Sequence, residues 1–192
     1  MDNSINLTEK KITSRNVYNG ALLNAFRDEV ELPDGNTSVR EWIKHPGASA
    51  VLPVFSNGDV MLIRQFRYPL HKEFLEVPAG KIDAGEPHQT TAVRELEEET
   101  GLISKNIQLI GHFYPSIGYT DEVIYLYVAW DLEQKTEDSD ADEFMIPTRI
   151  PFSKALSMVE KGDITDGKTM ACLFKAFFWW KRNAPFSIDL GH

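Results

Sequence analysis

Arg94 is followed by Glu95, Glu97, Glu98 and Glu99 in a stretch that reads as a helix. At 3.6 residues per turn, Glu95, Glu98 and Glu99 fall on one side. Like charges at such spacings cost about 0.2–0.5 kcal/mol per pair in an isolated helix. Carboxylates that share one face therefore call for a counter-charge. A hard divalent cation is the natural one, because Mg²⁺ is held by one or two carboxylates together with waters and substrate phosphates. For the helix taken by itself, a solvated acidic face is the favoured reading, as for most charge runs.

The elements that must position these acids are a loop and a helix. Gly80 and Gly85 bracket the loop, where glycine permits turns that other residues resist. Glu86-Pro87 reads as a helix start, with an acid at the positive end and proline at the first helical position. Gly101 reads as the stop signal. Ala92 and Leu96, with Val93 beside them, predict the buried face.

Taken whole, the stretch from Gly80 to Leu102 resembles the Nudix box, G-x5-E-x7-R-E-U-x-E-E-x-G-U with U aliphatic. The matching positions are Gly80, Glu86, Arg94, Glu95, Leu96, Glu98, Glu99, Gly101 and Leu102. The resemblance implies a metal-dependent hydrolase that cleaves a diphosphate joining a nucleoside to another group. It implies an α+β Nudix fold: an α/β/α sandwich around a mixed sheet. It also implies Mg²⁺, with Mn²⁺ as a substitute, held by Glu95, Glu99, Glu98 and the Ala79 carbonyl. Glu86 and Glu98 would support further ions.

Composition agrees with a folded domain. The chain has 192 residues, 42% hydrophobic and 26% charged, with a net charge of −9. That charge argues against broad binding to nucleic acid or to anionic membranes. An acidic protein with an acidic substrate needs cations and a few placed arginines. The single cysteine, Cys172, excludes an internal disulfide and lies in an apolar helical pattern expected to be core. The first residues, MDNSINLTEKK, lack the apolar run of a signal peptide, and no stretch has the length to span a bilayer. A cytoplasmic location is the expectation.

Along the chain, residues 13–31 read as paired strands turning near Asn19-Gly20. A turn at Pro33-Asp34-Gly35 precedes a strand over Thr37–His45. Ala48–Phe55 and Asp59–Phe66 read as a hairpin around Asn57-Gly58, and Leu109–Phe113 and Val123–Trp130 read as strands. Helices are expected over Ser153–Lys161 and Lys168–Lys181. Short strands ahead of a helix indicate an α+β domain rather than alternating βαβ units. The five histidines show no metal-ligand spacing.

The runs HPGASAVLPV and MLIRQFRYPLHKEFLEVPAGKIDAGE extend the resemblance to the Nudix subgroup that hydrolyses ADP-ribose and related nucleoside diphosphate sugars. That subgroup carries an N-terminal strand extension that helps form an intertwined homodimer. Residues 1–45 are read as that antiparallel extension, and 46–192 as the hydrolase domain. The alternative is that these strands only complete the monomer's own sheet. Arg67 matches the phosphate-binding arginine, and its planar fork suits bidentate contact with phosphate. Glu76 matches a position near the terminal sugar, and Arg40 is a candidate for contact with the base. In YPSIGYTDE, Ser116, Gly118, Tyr119, Thr120, Asp121 and Glu122 fit the substrate loop, with Tyr119 taken as a substrate contact. Ile117 stands where ADP-ribose enzymes carry proline, which favours a broader sugar range. Within Glu133–Phe144, Glu143 is the first choice for the catalytic base, ahead of Asp142 and Asp140. Glu98 and Arg67 complete the catalytic set.

Gly162–Thr169, GDITDGKT, also satisfies the phosphate-loop pattern G-x-x-x-x-G-K-[ST]. That pattern works only when a buried strand precedes it, and SKALSMVEK reads as a helix. The match is expected to be accidental, with Lys168→Ala changing activity by no more than about twofold, as at a non-functional surface site. The function that follows is hydrolysis of nucleoside diphosphate sugars. The alternatives are a strict ADP-ribose pyrophosphatase, a hydrolase of dinucleoside polyphosphates or coenzyme A derivatives, and a non-catalytic nucleotide sensor.

Overall fold

Ala48–Pro53 (β4) is buried at every position and carries no charged side chain. Such a run belongs in a strand covered on both faces. A computed structural model describes residues 6–135 and 144–190. In it β4 lies inside a four-stranded mixed sheet, between Ala79–Lys81 (β7) and Ile124–Gln134 (β9), with Leu102–Phe113 (β8) at the far edge beside β9. β4 runs parallel to β9 and antiparallel to β7.

Side chains alternate across a strand, and β4 divides two cores accordingly. Ala50, Leu52 and Val54 pack with Leu126 and Val128 and with Phe152, Cys172, Leu173, Ala176 and Trp180. Leu126 and Val128 belong to β9, Phe152 to the helix Phe152–Lys161 (α2), and the other four to the helix Gly167–Asn183 (α3). Val51 packs on the other face with Ala92 and Leu96 of the helix His88–Thr100 (α1), and with Leu102, Tyr127 and Ala129. The result is the expected α/β/α sandwich around a mixed sheet, and Cys172 is in its core. A second sheet, order β10-β5-β6, joins Met145–Pro151 (β10), Asp59–Arg67 (β5) and Lys72–Glu76 (β6), all antiparallel.

The expected hairpin of Ala48–Phe55 with Asp59–Phe66 is therefore only a turn. Phe55 and Asp59 close it through a backbone hydrogen bond of 2.8 Å, and Val54 and Val60 form an isolated bridge. β4 and β5 then diverge into different sheets. Val93 is also corrected. It is 41% exposed, while Thr91, Ala92, Glu95, Leu96 and Thr100 form the buried face of α1.

By its contacts the chain divides into two compact units. Gly47–Pro115 and Val123–His192 make up the unit just described, and Met1–Pro46 with Ser116–Glu122 make up the other. The latter holds an antiparallel sheet of Lys10–Asn19 (β1), Asn24–Glu31 (β2) and Thr37–Lys44 (β3), in that order. Phe26 stacks on Trp42, and the buried Asp28 carboxylate accepts from Ser14 Oγ and Trp42 Nε1. β3 is stitched to the Ser116–Glu122 loop: Ile43 N–H donates to Tyr119 O at 2.8 Å and His45 N–H to Asp121 Oδ1 at 2.7 Å.

Candidate active site

α1 begins one residue later than the sequence reading places it, with Pro87 as its N-cap, and ends at Gly101 in the left-handed conformation. Its start is tied down from beneath. Ser49 Oγ of β4 donates to the His88 carbonyl at 2.6 Å, and the His88 ring stacks on Tyr125 and shares a hydrogen bond with the Tyr127 hydroxyl. Burial, with the neighbouring Tyr125, pushes that hydroxyl up to about 12. The residues here hold the helix; they carry no acid of the box.

The acids themselves face Arg94 and β7. Arg94 Nη1 donates to Glu95 Oε1 at 2.7 Å and to Glu98 Oε2 at 2.9 Å, and Nη2 reaches Glu86 Oε2 at 3.4 Å. Burial opposes the charge on Arg94, but hydrogen bonds and charge from Glu86, Glu95 and Glu98 outweigh it and raise its pKa. Hydrogen bonds from Thr91 and then Arg94 hold the Glu86 carboxyl below its ordinary range. Glu99 turns to the strand, where its Oε2 accepts from Ala79 N–H at 2.9 Å.

Gly80 decides where Glu95 can lie. It sits within β7 opposite Ser49, so the loop role expected for it is corrected to a strand position. A Cβ on Gly80 would stand 1.8 Å from Glu95 Oε1 and 2.1 Å from its Cδ. Glycine is thus required here for close approach. The buried Glu95 carboxylate lies flat against the backbone of the strand that also carries Ala79.

A divalent ion suits the donor chemistry. Glu86, Glu95 and Glu98 share one guanidinium, a surplus of hard oxygen donors and of negative charge. As the side chains lie, no three acidic, histidine or cysteine groups among the described residues are gathered closely enough to hold a metal.

Arg67 and Glu76 form a second charged pair. They project from the same face of the β5–β6 ladder. Arg67 Nε donates to Glu76 Oε1 at 2.7 Å and Nη2 to Oε2 at 2.6 Å, a bidentate fork. Burial pushes the Glu76 carboxyl up, but the Arg67 hydrogen bonds and the Lys168 charge more than reverse this, leaving it lowered. Lys168 Nζ bonds Glu76 Oε2 as well. With a side chain only 14% exposed, Lys168 is not the surface residue expected from the sequence. Arg64, by contrast, makes an exposed pair with Glu73 at 2.7 Å.

Arg40 and Tyr119 belong to the other unit. Arg40 is engaged by Glu9, with Nη1 on Ser38 Oγ and the Val39 carbonyl. Tyr119 is 57% exposed. Glu143, Asp142 and Asp140 lie outside the described residues. The phosphate-loop pattern fails its structural condition, since helix α2 precedes it and Gly162 caps that helix.

Residues 44–170 match the NUDIX domain family model. The chain belongs to the Nudix family. Residues 9–43 match the nucleoside diphosphate sugar hydrolase N-terminal domain. This Nudix protein is 40% identical over 165 residues to an ADP-ribose pyrophosphatase of Bacillus subtilis (strain 168), covering 85% of this chain and 89% of that one. It is 33% identical over 155 residues to a GDP-mannose pyrophosphatase of Yersinia enterocolitica, covering 74% and 81%. A crystal structure of an ADP compounds hydrolase superposes with a TM-score of 0.82 at 23% identity, covering 95% of this chain and all of that one, and shares its fold. The chain is a Nudix hydrolase of the nucleoside diphosphate sugar type. Nudix hydrolases generally need a divalent metal. No helix among the described residues is long and apolar enough to cross a membrane.

Proposed function

We propose that this enzyme hydrolyses the diphosphate of several nucleoside diphosphate sugars, ADP-ribose, ADP-glucose and GDP-mannose among them. The products are a nucleoside monophosphate and a sugar phosphate. The observation that carries this reading is three box carboxylates sharing one guanidinium, with Glu99 against the β7 backbone. Glu95, Glu99, Glu98 and the Ala79 carbonyl would hold Mg²⁺, or Mn²⁺ in its place, and Glu86 would support a further ion. When bound, the metal polarises the diphosphate and lowers the pKa of the attacking water.

The chain's own residues do the rest. Arg94 holds Glu86, Glu95 and Glu98 in place through its guanidinium. Arg67 presents its guanidinium to a phosphate and offsets charge that grows on the leaving group. Glu76 orients the sugar. Glu143 takes the proton of the attacking water, and Tyr119 and Arg40 contact the substrate beyond its phosphates. Breadth rests on Ile117, 83% exposed, in place of a stiffening proline. A strict ADP-ribose pyrophosphatase is the second reading, favoured by the name of the 40% identical relative.

We also propose a cytoplasmic homodimer built on residues 1–45. Every residue of β1 is exposed, including Ile12, Val17 and Tyr18, and an edge strand of this kind invites pairing.

Glu99→Gln tests the metal assignment, since it removes one charge and keeps the shape. Turnover should fall at least about tenfold, given the several kcal/mol a catalytic metal supplies. Near-normal turnover at saturating Mg²⁺ in a folded variant would refute the assignment.

A further inference from the structure

The accidental phosphate-loop match places a lysine where it has a task. Asp166 caps α3: its Oδ2 accepts from Thr169 N–H at 2.9 Å, from Thr169 Oγ1 at 2.6 Å and from Lys168 Nζ at 3.0 Å. Thr169 Oγ1 in turn accepts from Val77 N–H at 2.9 Å. Lys168 reaches the neighbouring residue, pairing with Glu76 Oε2. The first turn of α3 thus grips consecutive residues of the segment that joins Glu76 to Ala79. Thr169 and Val77 are fully buried, and the Glu76 side chain is 4% exposed.

We propose that Lys168 is a positioning residue that holds Glu76 and, through it, sets Arg67 free to bind phosphate. The argument is one of charge. Arg67 uses both Nε and Nη2 on Glu76, the edge that would grip a phosphate in bidentate fashion. Turning that edge to the substrate strips a buried carboxylate of its partner. Breaking a buried pair in this way is strongly unfavourable when nothing else compensates the remaining charge. Lys168 stays on Oε2 and supplies the second cation. Asp166 keeps the ammonium in place, and the buried Thr169–Val77 hydrogen bond keeps the residue that follows Glu76 from drifting away. Arginine can then exchange carboxylate for phosphate with Glu76 still ionised and still aimed.

This inference rests on the proposed substrate roles of Glu76 and Arg67. Lys168→Met keeps the methylene packing and removes the charge. It should lower kcat/KM for ADP-ribose about tenfold, mostly through KM, and Lys168→Arg should recover it to within about threefold. In a Glu76→Gln background the same Lys168→Met change should cost less than about twofold, because the residue acts through Glu76. A loss of equal size in both backgrounds overturns the inference and leaves the reading of the site intact. So does a Lys168→Met enzyme within about twofold of the parent. If instead Glu76→Gln and Arg67→Ala are each silent, the site reading fails and takes the inference with it. Thermal unfolding checks that each variant is folded, and Lys168→Gln carries the same cycle if Lys168→Met is not.

Discussion

Adding one methyl group at Gly80 should disable this enzyme while leaving most of its fold. Gly80 is not in the left-handed region, so its backbone tolerates alanine. The conflict is with Glu95, whose Oε1 would lie 1.8 Å from the new Cβ, where real contacts stay above 3.0 Å. The carboxylate must therefore move by about 1 Å or more, and it has little room. It is 8% exposed and held by Arg94 Nη1 at 2.7 Å. Misplacing a catalytic group by 1 Å costs about 10²-fold in rate, and overpacking costs about 1–3 kcal/mol of stability. Gly80→Ala should thus lose about 10²-fold in turnover of ADP-ribose at saturating Mg²⁺, with a lower but cooperative melting transition. Gly85→Ala is the control. Nothing lies within 4 Å of its Cβ, and its φ of 82° makes the change one of backbone strain alone. It should cost about 1–2 kcal/mol of stability and leave turnover within about threefold. A folded Gly80→Ala enzyme with turnover within about threefold of the parent would refute the placing of Glu95 against β7.

The full chain should sediment as a dimer, and removal of residues 1–45 should abolish both the dimer and most activity; an active monomer would refute the assembly. Kinetics on ADP-ribose, ADP-glucose and GDP-mannose should show hydrolysis of more than one, and cleavage of ADP-ribose alone would refute the inference from Ile117. The lowered Glu76 carboxyl gives a pH signature. A depressed folded pKa contributes stability that is present above the unfolded value, about 4.3, and lost as pH falls through the folded one. The melting temperatures of the parent and Glu76→Gln should therefore differ most near neutrality and converge toward pH 3; a gap that widens in acid would refute the pairing.

Local signals carried much of this protein in its sequence. The box glutamates, the Gly101 stop, the turns at Asn19-Gly20 and Pro33-Asp34-Gly35, and the burial of Cys172 all rest on neighbours a few residues apart. Helix period and turn chemistry register such short distances directly. Strand partners do not work this way. Whether Ala48–Pro53 pairs with the strand that follows it, or with Ile124–Gln134, depends on which faces the helices cover. β7 has three residues and is a strand only because β4 lies beside it. Val93 lies beside Ala92 in sequence yet points outward, because the sheet covers only one stripe of α1. Gly80 looked like a turn former, yet it is needed for the room it leaves Glu95, a contact visible only once β7 and α1 are packed. Lys168 and Glu76 are 92 residues apart, and their pairing follows from the docking of α3 against the sheets. Sequence types could name the charges of this site; the packing of helix on sheet determined which of them meet.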